Sequence, residues 1–139
     1  MNIFLDANIL VSVLNKEYPT FTNSARILSL ADNKKFCLLT SPICLAIAYY
    51  FAEKKHKSSI AKSKIKILSE HISIAQNSCE AVVKCLNNSK IHDFEDGLEY
   101  YAALESNCDC FITEDKSDFY FSEIEVLSSE EFCKKYLFN

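Results

Sequence analysis

Short apolar runs, each too brief to be a helix, alternate along this chain with longer stretches whose apolar residues recur at helical spacing. The runs fall at residues 1–5, 36–40, 72–75, 109–113 and 125–127, and the first stops directly at an acid, Asp6. Helical spacing covers residues 7–14, 22–31, 42–55, 58–71 and 77–87, and residues 92–94 lead into a further helix that runs to about 106. Ser41-Pro42 opens one of these helices, with proline in the first turn where its missing N–H loses nothing. A last helix opens at Ser128, with Glu131 three residues on as in a capping box. Strands that alternate with helices predict an α/β fold, a three-layer sandwich with a central parallel sheet of four to five strands and helices on both faces. With one glycine and two prolines in the chain, a many-turned all-β fold is disfavoured.

At 139 residues the expectation is a single domain over 1–139, long enough to bury about two thirds of its unfolded surface without a disulfide or structural metal. Apolar residues at 49% and charged residues at 24% belong to a globular chain rather than a disordered one. No apolar run approaches 18 residues, so no membrane span is expected. The N-terminus has no basic region before an apolar stretch, and does not read as a secretory signal. Seven cysteines, an odd number with no C-x-x-C pair, mostly sit inside apolar stretches such as Phe36-Cys37-Leu38. They read as reduced thiols packed as small hydrophobes in a cytoplasmic protein.

The net charge of −4 is unevenly spread. Residues 91–115 hold eight carboxylates and no lysine or arginine, so the rest of the chain carries +4. Glu99, Glu105 and Asp109 read as a solvated helical face, whereas Asp93, Glu95 and Asp96 crowd one helix start. Lys54, Lys55, Lys57, Lys62, Lys64 and Lys66 form the opposite feature, six lysines within thirteen residues. Two readings stand for them: the wet side of an amphipathic helix, or a surface that contacts nucleic-acid phosphates. With Arg26 as the sole arginine, bidentate base readout has little support and sequence-specific DNA binding is disfavoured. His92 reads as a partly exposed loop histidine, and the pairs Tyr49-Tyr50 and Tyr100-Tyr101 as core or dimer surface rather than base-stacking platforms.

In an open parallel sheet, ligands bind beyond the carboxyl ends of the strands, where the strand order reverses. Asp6 follows the first strand, Asp115 follows the fourth, and Asp96 lies in the first turn of the helix that feeds the fourth. Each acid alone has a local explanation as a cap, dipole partner or turn former. Together they predict three carboxylates converging on one sheet edge, where their repulsion calls for a hard divalent cation with oxygen ligands.

The motifs Leu5-Asp6-Ala7-Asn8-Ile9-Leu10, Asp93-Phe94-Glu95-Asp96-Gly97-Leu98-Glu99 and Phe111-Ile112-Thr113-Glu114-Asp115, followed by Asp118-Phe119, resemble a PIN domain in order and spacing over almost the whole chain. The resemblance implies an α/β sandwich that cuts RNA with Mg²⁺ or Mn²⁺, of the kind found as VapC-type toxins in toxin–antitoxin pairs. It implies that Asp6, Asp96 and Asp115 are catalytic, metal-binding acids, with Asp118 a fourth, Thr113 a hydroxyl that orients the site and Asn8 a supporting residue. It also implies RNA and an antitoxin protein as partners, and a homodimer. On this reading Lys54, Lys55, Lys57 and Lys62 would track the RNA.

One departure bears on activity. The family usually carries a Glu about six residues beyond the serine that opens the helix after the second strand, and here that position is Ile47. Glu53 is the first carboxylate on that helix, and Glu95 or Asp93 would be the substitutes closest to Asp96. The loss motivates an alternative, a catalytically weak or inactive PIN-like module that binds RNA or a partner protein. A phosphotransfer role for Asp6 fits less well, because Asn8 stands where a phosphatase needs a second Asp.

Overall fold

The computed structural model describes residues 1–138 and contains one sheet of five strands: β1 (Asn2–Leu5), β2 (Cys37–Thr40), β3 (Ser73–Ile74), β4 (Cys110–Ile112) and β5 (Glu125–Leu127). Every neighbouring pair is parallel, and the order across the sheet is β3-β2-β1-β4-β5. The helices are α1 (Ala7–Leu14), α2 (Phe21–Leu28), α3 (Pro42–Lys55), α4 (Ser58–His71), α5 (Cys79–Asn87), α6 (Phe94–Glu105) and α7 (Ser129–Phe132). Parallel neighbours need crossover connections, and these are right-handed. The chain steps from β1 one way through β2 and β3, then returns to add β4 and β5 on the other side, so its helices cover opposite faces. The reversal lies between β1 and β4.

Burial on both faces explains why the two central strands are continuously apolar. Ile3, Phe4 and Leu5 of β1 and Cys110, Phe111 and Ile112 of β4 are fully enclosed, and pair in that order from Ile3 with Cys110 to Leu5 with Ile112. The Phe4 and Phe111 rings stack at 5.0 Å, a contact worth about 0.5–1.5 kcal/mol beyond its buried area.

Three elements differ from their sequence expectations. The second helix starts one residue early and ends at Leu28, because the Ser29 hydroxyl donates to the Arg26 carbonyl and the chain tightens into a 3₁₀ turn over Ser29–Asp32. The third strand is two residues, since only Leu39 and Thr40 of β2 have partners there. The last helix keeps its capping box, Ser128 with Glu131, but runs four residues before widening into a π turn over Cys133–Leu137. All seven cysteines are free and five are buried.

Helix α6 carries the densest acids, and two features fix its placement. Asp93 caps it, its carboxylate accepting from the Asp96 N–H at 3.0 Å. Gly97 lets it lie close to α5: a Cβ there would stand 2.3 Å from Cys85 Sγ and 2.7 Å from an Ile91 methyl. Gly97→Ala should therefore lower stability by about 1–3 kcal/mol from overpacking, despite the better helix propensity of alanine. Cys85→Ala in the same chain should recover part of the loss, read as urea midpoints of the two variants. A single variant as stable as the parent would show that α5 yields freely.

Candidate active site

The network at the sheet edge starts from Asp6, which is at once the end of β1 and the cap of α1. Its N–H donates to the Ile112 carbonyl at 3.0 Å, its own carbonyl accepts from Ile9, and its Oδ1 accepts from the Ala7 N–H at 2.5 Å. The other oxygen, Oδ2, accepts the Thr113 hydroxyl at 2.6 Å and the Asn8 amide at 3.2 Å. Asn8 Nδ2 also reaches Thr113 Oγ1 at 3.1 Å and Asp115 Oδ2 at 3.2 Å, while its Oδ1 accepts from the Glu114 N–H. Thr113 Oγ1 accepts in turn from the Asp115 N–H at 3.0 Å. One hydroxyl and one amide thus tie the end of β1 to the turn after β4.

A cleft of about 340 Å³ opens over this network. Six acids line it, Asp6, Glu17, Glu95, Asp96, Glu99 and Asp115, and no lysine or arginine does so among the described residues. The predicted trio Asp6, Asp96 and Asp115 therefore faces one cavity, although it is not gathered as tightly as a second group. That group is Asp6, Cys44 and Glu99, whose ligand atoms all lie within 4.8 Å of one another.

Glu99 corrects the expectation of a solvated face: it is only 2% exposed, no N–H donor serves its sealed Oε2, and its carboxyl meets the Asp6 carboxyl and the Cys44 thiol. Glu105 and Asp109 are exposed as expected. The signal for Glu99 was its helical phase, three residues after Asp96 and three before the enclosed Ala102. Glu17, in the loop after α1, belongs to no motif and had no such signal.

The remaining candidates divide. Asp118 sits on the exposed 3₁₀ turn Lys116–Phe119 and does not line the cleft, although its charge is felt at Asp96. Asp93 is occupied as the cap of α6, and Glu95 stands on the exposed rim. Among the lysines, Lys54 lies 4.2 Å from the Tyr50 ring centre, beside the exposed Phe51 at the cleft. Lys55 is committed elsewhere, since its ammonium donates to the Asn15 carbonyl at the end of α1, where Lys64 likewise binds the Leu14 carbonyl. Lys57 and Lys62 are exposed at the start of α4. His92 is exposed and hydrogen-bonded to the Tyr120 hydroxyl.

Burial and mutual repulsion push Asp6, Asp96 and Glu99 in the same direction. Burial first, then the charges of Asp93, Asp6, Asp118 and Glu95, push the Asp96 carboxyl up to about 7. Burial also raises Asp6 and Glu99, which face each other, so the pair retains a proton when no cation is near. The Cys44 thiol is held protonated by burial and by the same two carboxyls. Two facing enclosed carboxyls, with no basic side chain beside them among the described residues, form a donor set that suits a hard cation.

The sequence matches the PIN domain family over residues 2–117. It is 31% identical over 138 residues to Ribonuclease VapC1 of Aquifex aeolicus (strain VF5), a match covering 96% of this chain and 94% of that protein. Its fold is similar to VapBC2 from Rickettsia felis, solved bound to a DNA fragment from its promoter (TM-score 0.68, 23% identity, 92% of this chain and 98% of that one). It is also similar to VapBC-1 from nontypeable Haemophilus influenzae (TM-score 0.71, 21% identity, 94% of this chain and 99% of that one). No helix among the described residues is long and apolar enough to cross a membrane.

The acid cluster makes stability depend on pH. A carboxyl whose folded pKa lies above its unfolded value binds more protons when folded, so stability falls as pH rises between the two. In EDTA, unfolding midpoints should therefore decline from about pH 4 to about pH 7, the window set by Asp96 between its ordinary and raised values. Millimolar Mg²⁺ or Mn²⁺ should flatten that decline. A midpoint that climbs through this window in EDTA would contradict the repulsive cluster.

Proposed function

Since the chain belongs to the PIN domain family, we propose that it is a metal-dependent ribonuclease that hydrolyses RNA phosphodiester bonds. The observation that carries the reading is the cleft at the β1–β4 reversal, with six acids and no cationic side chain among its lining. Mg²⁺ or Mn²⁺ is the proposed cofactor, held by Asp6, Asp96 and Asp115, with Asp118, whose charge is felt at Asp96, as a proposed fourth from the turn beyond. Bound there, such an ion activates water and stabilises the charge that develops on a phosphodiester.

The chain's own groups prepare that site. Thr113 and the Ala7 N–H orient the Asp6 carboxylate and favour its charged form. Asn8 holds Asp115 and Asp6 on one amide, which sets the distance between two like charges. Lys54, Lys57 and Lys62 lie outside the cleft, where ammonium groups can hold the RNA backbone without neutralising the acids.

The names of the relatives, a VapC ribonuclease and VapBC complexes, support the setting we propose, the toxin of a toxin–antitoxin pair bound by a cognate antitoxin protein. The proposal extends to a homodimer in the cytoplasm. A second reading, a weak or inactive module that binds RNA or a protein, is favoured by one observation: Ile47 lines the cleft where the family usually has a Glu.

Asp6→Asn tests the first reading. Cleavage of RNA in Mg²⁺ should fall by more than the roughly hundredfold that loss of a mere outer-shell partner can cause. The metal-free melting temperature should stay level or rise, because one charge leaves a repulsive cluster. Cleavage unchanged in this variant, or a parent chain that cleaves nothing and takes up no Mg²⁺, would leave the binding module as the better account.

A further inference from the structure

We propose that Glu99 of α6 is itself a metal-ligating carboxylate and takes the part of the acid that α3 lacks at Ile47. The inference rests on the metal-site reading above and deepens it, and four observations carry it. First, α3 presents no carboxylate to the cleft: Ile47 lines it, and Glu53, the first acid of that helix, is exposed and does not. Second, Glu99 lines the same cleft, and its carboxyl oxygen lies within 4.8 Å of a carboxyl oxygen of Asp6. Third, Glu99 is only 2% exposed, no N–H donor serves its sealed Oε2, and the polar groups that meet its carboxyl are the Asp6 carboxyl and the Cys44 thiol. Two enclosed carboxyls that face each other without a cationic partner are costly to ionise together. Fourth, Glu99 follows Asp96 by three residues, so the two project from one side of α6 and both reach the cavity.

These facts have one economical reading. A cation between Asp6 and Glu99 would let both carboxyls ionise and would offset the repulsion of the pair. The carboxylate would be delivered from α6, one turn beyond Asp96, instead of from α3. Ile47 then closes the apolar side of the cavity that the displaced acid would otherwise occupy. The neighbouring Cys44 thiol is not needed for a hard cation, whose ligands are oxygens.

The full chain, treated with EDTA and titrated with Mn²⁺ by calorimetry and by thermal shift, tests the proposal. Glu99→Gln keeps the shape of the side chain and removes its charge. It should weaken Mn²⁺ binding by about tenfold or more and shrink the Mn²⁺-induced rise in melting temperature. Glu99→Gln combined with Ile47→Glu, which returns a carboxylate from α3, should recover a large part of the affinity, and this double variant guards against a fault in folding alone. Asp6→Asn serves as the reference for loss of a ligand. If Glu99→Gln binds Mn²⁺ as the parent does while Asp6→Asn does not, Glu99 is a buried structural acid and this proposal fails, with the metal-site reading intact. A parent chain that gives neither heat nor stabilisation with Mn²⁺ overturns both.

Discussion

Pairing of β1 with β4 is the contact on which the site depends. These strands come from opposite ends of the chain, yet Leu5 and Ile112 are partners, and the hydrogen bond from Asp6 to Ile112 continues the ladder one step past β1. That step delivers Asp6 and Thr113 to one point, close enough for a 2.6 Å hydrogen bond across 107 residues of sequence. What holds the pair in register is apolar: six enclosed side chains and the stacked rings of Phe4 and Phe111. Slipping one strand by one residue would part the stacked rings and move Asp6 away from Thr113 together. The hydrophobic core and the acidic edge are therefore two consequences of one register.

The architecture was legible because its signals are local. Buried parallel strands must be short and continuously apolar, and Asp6, Ser41, Ser78, Asp93 and Ser128 all stand as helix caps, four of them bonded to an N–H two or three residues on. The convergence of Asp6, Asp96 and Asp115 on one cavity followed from topology, since acids after β1 and β4 meet wherever those strands are neighbours. Glu99 was hidden for the opposite reason. In a run of eight carboxylates an extra one reads as solvated, and only its phase with Ala102 and Ala103 marks it as buried. Glu17 reaches the cleft through the path of a loop, which no periodicity records.

The lysines show how tertiary structure divides a uniform charge run. Lys55 and Lys64 turn inward to the last carbonyls of α1, where a helix carries partial negative charge, and so tie α3 and α4 to the helix that begins at Asp6. Lys54 rests on Tyr50 and Phe51, while Lys57 and Lys62 point to water. A run that looked like one surface is thus partly a clamp and partly an exposed face, a distinction set by which carbonyls the fold leaves unpaired.

Segregation of charge makes the cleft better suited to a cation than to a polyanion. A phosphodiester approaching six carboxylates meets repulsion that lysines outside the cavity reduce only through solvent, over distances that salt screens. Inside, no ammonium or guanidinium relieves the acids, and burial makes each uncompensated charge more costly. Lys54 offers an exposed positive charge beside the Tyr50 and Phe51 rings rather than among the carboxylates. The divalent ion proposed for this site would answer both problems at once, because the carboxyl oxygens could hold it and its charge could face the phosphate. An arrangement that keeps its own lysines out is what such an exchange requires, because an internal salt bridge at Asp6 would fill the cation's place permanently.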